Sequence, residues 1–183
     1  MSIRIRGASA RQSPAFRAGT AADTTDCVAL WVRACAERDG VAVAGVAERA
    51  QPKFDHGESW IVAEETGAGI RGFVLATTPK SGLPTDPPDA AVVSLLAVVP
   101  GAQGSGLGRA LLVSIANELK RQGHKRAVLH VLADNRPALD LYSSEDWRPL
   151  GEPFPHSLLN RPTQTYVLDL DSREEAALVT RER

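Results

Sequence analysis

A buried strand that runs through a glycine-rich turn into an amphipathic helix constrains this fold more than any other sequence feature. The strand, Ala91–Val98, is almost wholly apolar, and Pro100 ends it because proline cannot donate to a sheet ladder. Three glycines between 104 and 108 then lead into a predicted helix, Leu107–Arg121, with apolar residues at helical spacing. A second strand, Arg126–Ala133, follows, and the handedness rule makes the connection a right-handed parallel crossover. The unit predicts an α/β fold with a mixed sheet.

Alternating strands and helices are predicted on both sides of that unit. They are a strand at Phe16–Ala18, a helix beginning between Asp23 and Thr25, a helical piece at Val43–Arg49, an antiparallel hairpin of Trp60–Glu64 and Ile70–Thr77, a loop at Pro79–Asp89 containing four prolines, a helix at Arg136–Ser144, and strands near Trp147–Leu150 and Thr165–Leu170. We expect one domain over residues 15–170 and a charged tail over 171–183. Residues 1–14 are basic and have no apolar run, so we expect a disordered start, or a transit peptide, and no secretory signal.

Composition excludes several classes of protein. The 183 residues include 21 Lys and Arg against 22 Asp and Glu, so the net charge of −1 leaves no excess for a nucleic-acid or membrane partner. The longest apolar stretch, 90–99, is about half of the ~20 residues that span a bilayer. Cys27 and Cys35 lie too far apart along one predicted helix to pair, which predicts free thiols and a cytoplasmic location. No Cys or His spacing fits a zinc site, and we expect no metal.

The glycine-rich turn predicts an anion site, because glycines allow close backbone approach and a helix N-terminus offers unpaired N–H groups. A nucleoside-triphosphate loop is excluded, since Leu107 stands where that motif needs lysine. The dinucleotide fingerprint also fails, because its third small residue falls on Arg109 or Leu111. A glycine-rich connection that binds nothing is the alternative.

The loop itself, Gln103-Gly104-Ser105-Gly106-Leu107-Gly108, resembles the Gln/Arg-x-x-Gly-x-Gly/Ala loop of the GNAT family of N-acetyltransferases. Around the loop, Leu96-Ala97-Val98 with Pro100 before it and Arg109-Ala110-Leu111-Leu112 after it are similar to the same family. Asn135, Ala138 and Tyr142 continue the likeness. The resemblance covers about 60–170.

The resemblance implies a mixed, mostly antiparallel sheet with a central splayed pair of parallel strands, flanking helices, and acetyl-CoA bound in the splay. It implies that the backbone of Leu96, Ala97 and Val98 pairs with the pantetheine arm. It also implies pyrophosphate contacts from the N–H groups of Gln103, Gly104, Ser105, Gly106, Leu107, Gly108 and Arg109. Asn135 would hydrogen-bond the cofactor, and Tyr142 would act as general acid toward the leaving thiolate. A phenol suits that task because its reference pKa of ~10 exceeds the ~8.5 of a thiol.

The resemblance identifies the general base less clearly than it identifies the general acid. The strand before the loop has no acid near Val92, which excludes the carboxylate that some family members use there. His130 is the first candidate, because it precedes Asn135 by five residues, where some members that act on protein N-termini carry a glutamate. Glu64 is the alternative base. Each assignment has a structural alternative: His130 and Tyr142 could simply fill the strand and the core, and Asn135 could cap the following helix.

Taken together, these residues predict an acyl-CoA-dependent N-acyltransferase that moves acetyl from acetyl-CoA to a primary amine by direct attack. The alternative is a CoA-binding sensor or scaffold without catalysis, which the missing acid near Val92 and Asp146 in place of the family's glycine would suit. Trp147 is expected to plug the core beside Asp146.

The acceptor is expected to be a small-molecule or peptide amine. The resemblance places the acceptor site in 31–59 and 79–89, and it allows a homodimer. The acids in the first region either hold a cationic amine or form a solvated face; they are Glu37, Asp39, Glu48, Asp55 and Glu58.

Overall fold

Seven strands form one sheet in the order β1-β2-β3-β4-β5-β7-β6 in the computed structural model, which describes residues 13–171. The elements in chain order are β1 Ala15–Ala18, α1 Thr24–Asp39, α2 Val46–Asp55, β2 Gly57–Glu65, β3 Gly69–Thr77, β4 Ala91–Val98, α3 Leu107–Arg121, β5 Arg126–Leu132, α4 Arg136–Ser144, β6 Arg148–Pro155 and β7 Pro162–Asp169. Apart from residues 13, 14 and 171, the predicted disordered start and charged tail lie outside the described residues.

The sheet is mostly antiparallel with one parallel pair at its centre, β4 and β5, which confirms the predicted fold class. This pair is in register only at Ala91 with Ala127 and at Val92 with Val128. Beyond those residues β4 continues along β3 as far as Val98, and β5 continues along β7. The two strands therefore separate, and we call the space between 94–98 of β4 and 130–132 of β5 the gap.

Helices cover both sides of the sheet, and the alternation of β-strand side chains assigns each strand residue to one side. The α3 face buries Leu111 and Ile115 of the helix against Val74 and Leu129. The opposite face, which we call the α1 face, buries Cys27 and Leu30 with other apolar residues, namely Ala50, Val62, Phe73, Leu75, Leu95, Ala97 and Val99. The gap opens between these two layers.

Two elements differ from their predicted bounds because tertiary packing outweighs local signals. The predicted helix at 43–49 lies at Val46–Asp55 and includes Pro52, since Phe54 packs edge-on against Trp60 with ring centroids 4.7 Å apart. Strand β6 extends to Pro155 past the predicted end at Leu150, through an irregularity between Leu150 and Phe154. Prolines are tolerated there because β6 is an edge strand.

Two smaller expectations are also confirmed. Trp147 is buried in the core on the α3 face, and Asp146 before it adopts a positive φ of 65°, as the family's glycine position requires. Cys27 and Cys35 are buried free thiols, and burial raises the pKa of Cys27 to about 12. Within the described range, no helix combines the length and apolarity needed to cross a membrane.

Candidate active site

The edge of β4 that faces the gap carries unpaired backbone groups. The Val99 N–H donates to the Arg71 carbonyl at 2.9 Å, so the backbone of Val99, and by alternation that of Ala97, is directed toward β3. The N–H and C=O groups of Leu96 and Val98 therefore face the gap, where β5 no longer pairs with β4. Such an edge suits an extended ligand with amide groups, because a buried amide needs hydrogen-bond partners.

The loop at the end of β4 forms a cradle of backbone N–H groups at the start of α3. The first backbone hydrogen bond into the helix runs from the Ala110 N–H to the Gly106 carbonyl at 3.0 Å. Two of the seven N–H groups predicted to bind pyrophosphate already donate within the loop: Gln103 to the Pro100 carbonyl and Ser105 to the Ala102 carbonyl. The other five donate to no described acceptor; they belong to Gly104, Gly106, Leu107, Gly108 and Arg109.

Two glycines give this cradle its shape. Gly104 and Gly106 have φ values of +75° and +85°, which residues with a Cβ rarely adopt. A Cβ built on either would meet no atom within 4 Å, so the space in front of the backbone is open. Open space, free N–H groups and a helix N-terminus together fit a pyrophosphate.

Asn135 lies between β5 and α4, and its side chain makes no capping hydrogen bond to the helix. Its backbone carbonyl accepts instead, from the N–H groups of Ala138 and Leu139 at 3.1 and 3.0 Å. The capping alternative therefore has no support in the side-chain contacts, and the Asn135 amide is free to contact a ligand.

Tyr142 on α4 packs over the α3 face. Its ring is half-buried, with centroids 6.2 Å from both Trp147 and Tyr166. Burial raises the pKa of Tyr142 to about 12, so the phenol keeps its proton throughout the neutral range. The Tyr142 ring thus packs against the core while its hydroxyl stays protonated.

His130 on β5 points to the opposite side of the sheet from Tyr142. It alternates with Leu129 and Val131, which belong to the α3 face, and its ring lies edge-on to Phe154 with centroids 5.8 Å apart. His130 Nε2 is 3.0 Å from Oδ1 of Asp86, an aspartate of the proline-rich loop that sequence reasoning missed. The candidate acid and the candidate base therefore lie on opposite faces of the sheet.

Glu64, the alternative base, lies on β2, which β3 separates from β4. Its carboxylate accepts a hydrogen bond from Arg17 Nε at 2.7 Å, and the same guanidinium binds both oxygens of Asp23. Because this carboxylate already accepts a hydrogen bond from Arg17, the geometry favours His130 over Glu64 as the base.

The predicted acceptor acids do not form one anionic site. Asp39 at the end of α1 is buried and paired with Arg38 and Arg161, which together hold the pKa of its carboxyl below the usual value. Glu58 contacts His124 at 2.9 Å, at the start of β2. Glu37 lines an open cleft of about 500 Å³ beside Pro100. In residues 13–171, no group of three or more His, Cys, Asp or Glu side chains could hold a metal ion.

Comparison of the sequence with protein families gives a match over residues 20–144 to the family described as the acetyltransferase (GNAT) family. Curated relatives include a mycothiol acetyltransferase of Streptomyces avermitilis, 48% identical over 94 residues, which are 51% of this chain and 28% of the relative. The mycothiol acetyltransferase of Clavibacter sepedonicus is 32% identical over 148 residues, 78% of this chain and 46% of the relative. The chain thus spans less than half the length of these two relatives.

Solved structures share the fold at low sequence identity. A Salmonella typhimurium protein determined with its cofactor acetyl-CoA has a TM-score of 0.67 at 21% identity, covering 87% of this chain and 95% of that one. The ribosomal-protein-S18-alanine N-acetyltransferase of Escherichia coli has a TM-score of 0.66 at 20% identity, covering 85% and 93%. The likeness extends over most of both chains, and it shows a common fold.

Proposed function

Because the chain belongs to the GNAT family of acetyltransferases, we propose that it transfers an acetyl group from acetyl-CoA to a primary amine. One observation carries the proposal. The gap between β4 and β5 has an open edge of backbone amides and a cradle of free backbone N–H groups at its end, with His130 on one face of the sheet and Tyr142 on the other.

The chain would hold acetyl-CoA chiefly through its backbone. Leu96 and Val98 would pair with the pantetheine amides across the gap, as a strand pairs with a sheet edge. The free N–H groups between 104 and 109 would bind the pyrophosphate at the positive end of α3. The Asn135 side chain would add one hydrogen bond at the far side of the gap.

When bound, acetyl-CoA supplies a thioester whose acetyl carbon is open to attack by an amine. His130 would take the proton of the attacking amine from the α1 face. The Val98 N–H would polarise the carbonyl oxygen, a kind of contact whose removal costs roughly 3 to 4 kcal/mol in other enzymes. From the α3 face, the Tyr142 hydroxyl would hydrogen-bond the leaving sulfur and act as the acid that returns a proton to it.

The acceptor we propose is a small-molecule or peptide amine reaching the gap from the α1 face. The acceptor substrate of the mycothiol acetyltransferases is the first compound to test, because relatives with that name match this chain at 31% to 48% identity. The two free thiols fit a reducing cytoplasm. We also propose a homodimer, which light scattering tests directly.

Thermal unfolding with acetyl-CoA tests the proposed cofactor, with NAD and ATP as controls. At one hundred times its dissociation constant a ligand stabilises by about 2.7 kcal/mol, which raises the Tm of a domain of this size by roughly 5 to 10 °C. Release of free thiol from acetyl-CoA with a panel of amines then tests catalysis. A Tm shift without thiol release for any amine supports the sensor alternative, and no shift refutes the cofactor site.

A further inference from the structure

The loop between β3 and β4, residues 78–90, brings a buried aspartate onto the ring of His130. We propose that Asp86 is a positioning residue: it holds neutral His130 in the tautomer protonated at Nε2, so that Nδ1 is the atom that takes the proton of the acceptor amine. This inference rests on the proposed function, and it names the reacting atom and the residue that selects it.

Contacts to Asp86 leave its carboxylate little freedom. The side chain is 4% exposed, with Oδ1 3.0 Å from His130 Nε2. The other oxygen, Oδ2, accepts the Leu83 N–H at 2.7 Å, and the Asp86 N–H donates to the Leu83 carbonyl at 3.0 Å. With one oxygen held by the loop, the other stays directed at the ring.

A network of hydroxyls joins this loop to the strands beside the gap. Thr77 Oγ1 at the end of β3 lies 2.6 Å from Ser81 Oγ and 2.8 Å from Ser94 Oγ, and Ser94 borders the gap on β4. Four prolines between residues 79 and 88 further restrict the unfolded loop. The start of the loop that carries Asp86 is therefore tied to the strands beside the gap.

Gly82 shows how closely the loop backbone covers the pair. A Cβ at Gly82 would lie 2.2 Å from Asp86 Oδ2, 3.2 Å from Val92 Cγ2 and 3.3 Å from His130 Cε1. No positive φ requires glycine there, so the need is purely steric. A loop whose only task was to connect two strands would not need this approach to a histidine ring.

The chemistry follows from the donor count of a neutral imidazole. It has one N–H, and an ionised carboxylate can only accept, so the contact with Asp86 places that N–H at Nε2. The lone pair is then at Nδ1. During transfer the amine nitrogen bonds to the acetyl carbon, the C–S bond breaks, and the amine proton moves to Nδ1. The sulfur takes a proton from Tyr142, and solvent restores both side chains, giving an amide and a free thiol.

Nitrogen-15 NMR of the wild-type imidazoles measures the tautomer directly. The spectrum of His130→Gln identifies which of the four histidine signals belongs to His130. We expect neutral His130 in wild type to carry its proton at Nε2. A signal showing the proton at Nδ1 would overturn the proposal and would leave the proposed function standing.

Steady-state kinetics of Asp86→Asn give the second readout, with Asp89→Asn as the matched control. Asp89 is an exposed aspartate of the same loop whose carboxylate contacts Arg126 at 3.1 Å. We expect Asp86→Asn to lower kcat at least about tenfold with an unchanged KM for acetyl-CoA, because a misplaced base slows only proton transfer. Asp89→Asn should match wild type.

Equal kcat values for Asp86→Asn and wild type refute the positioning role. If Asp86→Asn does not fold, the wild-type tautomer still decides the question. Wild type that releases no thiol with any amine refutes the proposed function instead, so the two failures are distinguishable.

Discussion

Replacing Tyr142 by phenylalanine removes one hydroxyl from the α3 face of the sheet and leaves the ring. The ring packs against Trp147 and Tyr166, and phenylalanine preserves both contacts. No side chain among the described residues hydrogen-bonds the Tyr142 hydroxyl, so the variant leaves no partner unsatisfied. We therefore expect Tyr142→Phe to fold with wild-type stability.

The magnitude of the kinetic effect follows from the raised pKa. A pKa of about 12 lies roughly 3.5 units above the ~8.5 of a thiol, so complete proton transfer to the sulfur is uphill by roughly 5 kcal/mol. While the C–S bond breaks, the Tyr142 hydroxyl therefore donates a hydrogen bond to the sulfur, and its proton passes to the sulfur only as solvent reprotonates the phenolate. A hydrogen bond to a charged group contributes about 1.5 to 3 kcal/mol, which corresponds to a loss of roughly 10- to 150-fold in kcat.

Steady-state thiol release at saturating amine measures this loss, and Tyr166→Phe is the matched control. Tyr166 belongs to the same aromatic cluster, on β7, and has no proposed part in the reaction. We expect Tyr142→Phe to lower kcat while the KM for acetyl-CoA stays near wild type, and Tyr166→Phe to change neither. An unchanged kcat in Tyr142→Phe would show that another group protonates the sulfur.

Three further predictions concern the cradle, the core and the pairing of Asp23 with Arg17. Gly106 and Gly67 have φ values of +85° and +77° and open space at the Cβ position. Gly106→Ala and Gly67→Ala should therefore each lower the stability by about 1 kcal/mol. Only Gly106→Ala should weaken acetyl-CoA binding in a titration. Leu111→Ala should lower the free energy of unfolding in urea by about 2 to 5 kcal/mol, because its side chain is fully buried; a loss below 1 kcal/mol contradicts this packing. Hydrogen bonds from Arg17 hold the pKa of Asp23 well below its usual value, so the stability that this pair contributes above about pH 4 is lost on acidification. Asp23→Asn should therefore reduce the fall in unfolding free energy between pH 5 and pH 2. Parallel curves for the variant and wild type would refute this contribution.

Local chemistry explains why the side of the fold that we propose binds the cofactor could be predicted from sequence. The bounds of β4, α3 and α4 match the prediction, because each is a continuous apolar or amphipathic pattern with a proline or glycine within two residues of one end. The cradle consists of backbone groups whose conformation depends on glycines, so a short run of sequence is enough to predict it. A ligand bound by main-chain N–H groups needs few particular side chains, and those few stand at fixed spacing from the loop.

Contacts between distant residues explain what sequence could not predict. Asp86 and His130 are 44 residues apart, and neither has a local pattern that names the other. Helix α2 passes through Pro52 because Phe54 finds aromatic partners on β2 and β3, which no window around the proline contains. Sequence placed 79–89 in the acceptor region, whereas its role beside the histidine depends on how the loop folds back over β5.

On the α1 face, where we propose that the acceptor binds, side-chain pairs join separate elements of the fold. One such set lies at the end of α1: Arg161 of the segment joining β6 and β7 binds Asp39 of α1 and Asp134 after β5, both at 2.6 Å. Exchanging such pairs alters the acceptor side while the backbone cradle at α3 stays the same. The cradle is thus specified by main-chain conformation, and the α1 face by which loops meet above His130.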